Sequence, residues 1–290
     1  MTNRLPLWVR KPETHFEALH EIKRDMRSHG LHTVCEAARC PNIHECFHRG
    51  TATFLILGEA CTRRCGFCAV AGRSSPGPVD PGEPLSVARM ASGMGLRHVV
   101  ITSVTRDDLM DGGSLHFALT VQAVRRALPD ARVEVLTPDF GGDQKAAALV
   151  LDAGPHIFSH NMETVARLYP RGRPQADYQR SLDVLRFARR HSPTVLTKSG
   201  MMAGLGEEPG EVETLLRDLR EAGVGIVTIG QYLRPSRHNL PVASYVPPGQ
   251  FDAWRRYGLA LGFRTVLSGP MVRSSYLAEA IGGQAAEAAC

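Results

Sequence analysis

Short apolar runs alternate with longer amphipathic stretches along most of this chain. Seven runs of four to six residues read as strands, at 53–57, 98–103, 132–137, 156–159, 194–198, 225–229 and 264–267. Runs such as Val99-Val100-Ile101-Thr102 and Ile226-Val227-Thr228-Ile229 are close to continuously apolar, the pattern of strands covered on both faces. Between them, 114–127, 144–153, 178–190 and 209–222 repeat apolar residues at helical spacing. Strands and helices alternating at this length predict βα units around a parallel sheet, an α/β fold. Five strands run straight into polar or glycine-rich loops, at 103–108, 137–143, 159–164, 197–208 and 229–236. In barrel-like βα folds ligand chemistry sits at the C-terminal strand ends, so these loops are expected to face one cavity.

Composition narrows the function classes. Hydrophobic residues make up 43% and charged residues 22%, ordinary for a globular chain. The net charge is +5, but the 34 Lys and Arg residues are spread out, without the basic, aromatic-studded stripe of a nucleic-acid binder. A basic surface around a site for anionic ligands is the expectation instead. No run approaches the ~20 apolar residues of a membrane span. The N-terminal stretch also lacks the apolar core of a secretory signal, so no membrane partner and a cytoplasmic location are expected.

The cysteines carry the chemistry. Of seven, six lie between Cys35 and Cys68. In a large chain without a secretory signal, such clustering points to metal or iron–sulfur ligation rather than disulfides. Cys61-Thr62-Arg63-Arg64-Cys65-Gly66-Phe67-Cys68 spaces three thiols as C-x3-C-x2-C. Three thiolates on one tight loop hold three corners of a cubane cluster and leave one iron open for chemistry. Zinc sites commonly pair two knuckles, which this unpaired triad does not match. The other triad, Cys35, Cys40 and Cys46, is spaced C-x4-C-x5-C, and its spacing alone also suits a structural zinc with His44 or His48 as fourth ligand.

The words around these cysteines resemble a known family. C-x3-C-x2-C after the first strand, with Phe67 before the last cysteine, is similar to the radical S-adenosylmethionine (SAM) signature. The stretch 35–46, CEAARCPNIHEC, is similar to the N-terminal motif of lipoyl synthases. So, in order, are TSVTRDDLMDGG, LTPDFGGD, HNMETVARLYP, TKSGMMAGLGE, IGQYLRPS and GPMVRSSY. The resemblance covers nearly the whole chain and implies a partial (β/α)6 TIM-like barrel at 51–263. Around it would lie a cysteine-rich extension at 1–50, with a helix at 15–28, and a short C-terminal extension at 264–290.

The resemblance further implies two [4Fe–4S] clusters and SAM. Cys61, Cys65 and Cys68 would hold the catalytic cluster, whose open iron chelates SAM and whose reduction releases a 5′-deoxyadenosyl radical. Cys35, Cys40 and Cys46 would hold an auxiliary cluster with Ser275 as fourth ligand, or else Ser274. That cluster would be consumed as the sulfur donor for C6 and C8 of an octanoyl-lysine. Implied partners are an octanoylated carrier protein (a 2-oxoacid dehydrogenase lipoyl domain or the glycine-cleavage H protein), an electron donor such as ferredoxin or flavodoxin, and an iron–sulfur cluster carrier. Phe67, Thr105, Asn161, Glu163, Lys198 and Ser199 are expected around SAM, with Arg106 and Asp107 lining the same cavity. Arg234 and Arg237 are candidates to meet an acidic carrier. One departure is Leu277, where the family pattern has histidine.

Overall fold

The computed structural model describes residues 5–9, 24, 26, 31–37, 40, 42–70, 72 and 76–276. The expected helix at 15–28 lies outside the described residues except for Arg24 and Met26, and Leu277 and Cys290 lie outside them altogether.

Eight strands form one open sheet in sequence order: β1 (His32–Thr33), β2 (Thr51–Ile56), β3 (His98–Ser103), β4 (Arg132–Leu136), β5 (Ile157–Ser159), β6 (Leu196–Ala203), β7 (Ile226–Gln231) and β8 (Thr265–Gly269). β1 pairs antiparallel with β2, and every later neighbouring pair is parallel. Each of β2 to β7 is followed by a helix that leads back to the next strand, which makes six βα units. Among the described residues the sheet starts at β1 and ends at β8 without closing, so the barrel is partial, as the resemblance implied. β8 comes from the stretch expected to form the C-terminal extension and continues the sheet beyond β7.

Local chemistry explains these elements. The helix Pro209–Glu221 buries Val212, Leu215, Leu216 and Leu219, one stripe at helical spacing, and opens with a Glu208–Glu211 capping box. The Asp177 side chain accepts the Arg180 N–H at the start of Tyr178–His191 (2.7 Å). β2, β3 and β7 are buried almost throughout, which their unbroken apolar runs required.

One boundary moved. The stretch 199–203, expected as loop, continues β6 because it pairs with β7 from Lys198↔Ile226 to Ala203↔Gln231. Its polar residues did not break the strand, because Lys198 and Ser199 find partners inside the barrel. Among the described residues no helix is long and apolar enough to cross a membrane.

Candidate active site

Two cysteine triads sit at one end of the barrel, held by different contacts. The Cys61–Cys68 loop follows β2 and is tied to its neighbours at several points. Thr62 donates through its N–H and its hydroxyl to the Thr105 carbonyl (both 3.0 Å). Gly66 donates to the Gly172 carbonyl (2.9 Å) and accepts from Leu240 (2.8 Å), and Asn239 Nδ2 donates to the Cys68 carbonyl (2.8 Å). Cys61 Sγ accepts the N–H groups of Arg63 and Thr105, each at 3.4 Å.

Cys35, Cys40 and Cys46 lie on short helices and turns that pack against β2. Asn42, between the last two, donates to the Met271 carbonyl (2.7 Å), and Tyr276 Oη donates to Glu45 (3.1 Å). These two bonds span more than two hundred residues and bring the RSSY segment against the first triad. Gly230 makes the approach possible: a methyl there would lie 2.0 Å from the Val272 carbonyl oxygen. Gly230→Ala is therefore expected to lift residues 270–276 from the sheet. Overpacking of this kind costs about 1–3 kcal/mol. Amide hydrogen exchange should speed up at 270–276 and stay unchanged in β3 and β4; protection retained at 270–276 would contradict this seating.

The first triad and Cys68 of the second line one cavity of about 290 Å³, while Cys61 and Cys65 lie outside its lining. Cys35, Cys40, Cys46, Cys68, Ser274 and Ser275 all line it. Asn161, Glu163 and Phe67 also line it. Asn161 Nδ2 donates to Glu163 Oε1 (3.0 Å) and to Ser274 Oγ (2.8 Å), which leaves Ser275 as the serine not engaged by Asn161. Asn161 Oδ1 is buried without a hydrogen-bond partner among the described residues, an acceptor available to a ligand. Glu163 sits in the left-handed region at φ 66°. Burial pushes its carboxyl up, against the pull of Arg173 and Asn161. Gly200 lets this loop approach, since a methyl there would stand 2.9 Å from Asn161 Oδ1.

Burial holds three of the thiols in their neutral form. Burial pushes Cys35 and Cys68 up to about 12, with Cys40 adding to the first and Cys65 to the second. Burial also raises Cys65, against the attraction of Arg173. Groups so placed ionise when a metal takes the proton's place, and binding then releases protons. Among the described residues, no three His, Cys, Asp or Glu side chains converge on a point fit for one ion. Cluster ligands instead surround a volume, because each thiolate meets a different iron.

Other expected site residues fall elsewhere. Lys198 is fully buried and its Nζ donates to Glu134 Oε1 (2.8 Å), so its charge is spent inside the barrel and it does not line the cavity. Ser199 Oγ accepts the Met162 N–H (3.3 Å) and supports the loop from behind. Thr105 acts through its backbone on Cys61. Arg106 pairs with Asp108 (2.8 Å), and Asp107 with Arg63 (2.8 Å). Arg234 braces its own loop by donating to the Asn239 carbonyl (2.9 Å) and to the Arg237 carbonyl, while Arg237 is exposed.

Three contributors are not singled out by the sequence, although Asp139 and Gly230 lie in loops expected to face the cavity. Arg173 is buried, its Nη1 donating to the carbonyls of Asn161 (2.9 Å) and Met162 (3.2 Å). Asp139 anchors Arg63, and Gly230 seats the C-terminal segment. Each works through a partner distant in sequence.

The model of the radical SAM superfamily matches residues 55–219. Proteins named lipoyl synthase from Rubrobacter xylanophilus and Thioalkalivibrio sulfidiphilus are 56% and 52% identical. The alignments cover 93% and 95% of this chain and 84% and 86% of those proteins. Among solved structures, SuiB of Streptococcus suis bound to its precursor peptide SuiA is similar with a TM-score of 0.59 at 10% identity, over 87% of this chain and 53% of that one. Methylornithine synthase is similar with a TM-score of 0.53 at 16% identity, over 87% and 79%. These structural likenesses concern the fold alone.

Proposed function

Because this chain belongs to the lipoyl synthase family within the radical SAM superfamily, it is a lipoyl-forming enzyme, and we propose a division of labour between its two cysteine triads. Cys61, Cys65 and Cys68 hold a catalytic [4Fe–4S] cluster with one iron left for SAM, and Cys35, Cys40, Cys46 and Ser275 hold an auxiliary one. When bound, the first supplies one-electron cleavage of SAM and the second supplies sulfide sulfur for C6 and C8 of a protein-bound octanoyl-lysine.

The single observation that carries this reading is the shared cavity, where the sulfur ligands of the first triad, Cys68 and the RSSY serines face one space. A substrate carbon held there reaches both sites without leaving the protein. Val34, Leu136, Met202 and Leu233 give the cavity an apolar wall suited to an acyl chain. Asn161 and Glu163 contribute the polar wall, with bonding capacity for the amino, carboxylate or ribose groups of SAM. Phe67 and Tyr232 line the same space and help exclude water. Arg173, buried beside Cys65, holds the Asn161 loop by its carbonyl and draws the Cys65 thiol toward its ionised form. Serine oxygen is a harder ligand than thiolate, so Ser275 gives the auxiliary cluster one weak corner, fitting for a cluster that is consumed.

The lysine-borne substrate makes the partner a carrier protein, and the reduction step calls for an external electron donor. The test is anaerobic reconstitution with iron and sulfide, incubation with SAM, a reductant and an octanoyl-lysine peptide, and mass spectrometry of the peptide. The expected product carries two added sulfur atoms. A peptide that gains none while 5′-deoxyadenosine accumulates would refute the assignment.

A further inference from the structure

Arg63 lies between two of the catalytic triad's cysteines, yet it is only 7% exposed. Its guanidinium turns away from solvent and into a pair of carboxylates. Nε donates to Asp107 Oδ2 (2.9 Å), and Nη2 donates to Asp107 Oδ1 (2.8 Å) and Asp139 Oδ1 (2.7 Å). Asp139 is fully buried and also accepts the Gly141 N–H (3.1 Å), with Arg180 Nε 3.4 Å from its other oxygen. The clamp therefore joins three loops: the cysteine loop after β2, the loop after β3 and the loop after β4. The backbone it fixes is the backbone that feeds Cys61, whose sulfur accepts N–H groups from Arg63 itself and from Thr105.

The geometry points to Arg63 as a positioning residue: clamped by Asp139 and Asp107, it fixes the N–H donors on Cys61 and sets the local field that tunes the catalytic cluster's reduction potential. This rests on the reading that Cys61, Cys65 and Cys68 hold that cluster. Potentials of such clusters follow net charge, hydrogen bonds to sulfur and solvent exposure. The clamp bears on the first two, through buried charge beside the cysteine loop and the N–H groups on Cys61. Burial alone would raise the Asp139 carboxyl, but Arg63 holds it down at about 2, so the buried anion persists at neutral pH.

The test uses the full chain in a Cys35→Ala, Cys40→Ala, Cys46→Ala background, so that one cluster contributes. Redox titration followed by electron paramagnetic resonance gives its potential. The titration is run at alkaline pH, so that Asp139 stays ionised without Arg63. Asp139→Asn removes a buried negative charge and should shift the potential up, and Arg63→Gln removes a positive charge and should shift it down. Arg63→Lys keeps the charge but loses the fork. It should leave the potential near that of the parent and broaden the signal. Asp107→Asn should shift the potential up less than Asp139→Asn, because Asp107 is 42% exposed and water screens it. A purely structural clamp predicts shifts of one sign, or none, in Arg63→Gln and Asp139→Asn; either overturns the proposal. Should Arg63→Gln not retain iron, the order Asp139→Asn above Asp107→Asn above parent decides, and any other order overturns it. A parent without any cluster signal would refute the reading of the triad itself, an outcome distinct from failure of the clamp.

Discussion

Replacing Cys35, Cys40 and Cys46 together with alanine is expected to abolish sulfur insertion while SAM cleavage continues at the same order of magnitude. The separation follows from how each triad is held. The first depends on short helices packed on β2 and on the Asn42–Met271 and Tyr276–Glu45 bonds to the C-terminal segment. The second depends on a different set of hydrogen bonds, from Thr105, Gly172, Asn239 and the Arg63 clamp. Loss of the first set therefore leaves the second standing. Mass spectrometry of the octanoyl peptide should show no added sulfur, and chromatography should still show 5′-deoxyadenosine. Cys61→Ala, Cys65→Ala or Cys68→Ala should remove both products. Lipoyl product from the triple variant would refute the auxiliary role, and loss of 5′-deoxyadenosine in it would show that the triads are not independent.

The second large effect concerns stability. Lys198→Met should destabilise the protein by about 3–5 kcal/mol, because it strands a buried carboxylate. Glu134 lies on β4, Lys198 on β6 and His98 on β3, and none is more than 1% exposed. Lys198 Nζ reaches both Glu134 oxygens (2.8 and 3.1 Å), and His98 Nε2 lies 3.2 Å from one of them. Burial by itself would raise the Glu134 carboxyl, but Lys198 and His98 outweigh it and hold the group below the usual carboxylate range. For a chain of this size the loss corresponds to roughly 10 °C in melting temperature, read by calorimetry. Lys198→Met with Glu134→Gln should recover part of it, since replacing a buried pair costs less than breaking one. The sequence had suggested Lys198 as a SAM contact. A SAM contact predicts the reverse: a raised KM for SAM with an unchanged melting temperature.

How far each feature was legible in the amino-acid order depended on how local its cause is. The strand at 98–103 and the helix at 114–127 coincide with β3 and with Ser114–Ala127, because apolar periodicity and turn residues act within a few positions. The family, its reaction and the alternating α/β fold were legible for the same reason: cysteine spacing and motif wording are short-range features. β6 was cut short at 198 because a run of Lys, Ser and Gly reads as loop until its pairing with β7 is known. Lys198 reads as a site residue until Glu134, 64 positions earlier, is seen to neutralise it. Arg63 is one of two arginines inside a cysteine motif, and only the fold shows that it faces Asp139, 76 positions on, while Arg64 faces solvent.

By itself, then, the order of residues determined which chemistry the chain carries and the alternation of strand and helix that supports it. Tertiary structure alone decided which side chains face the cavity, which charges neutralise each other below it, and how Asn42 meets Met271 across 229 positions to bring the RSSY segment to the first triad. The physical reason is that backbone preference and ligand spacing are set by neighbours along the chain. Desolvation and charge pairing are settled only when distant segments exclude water together.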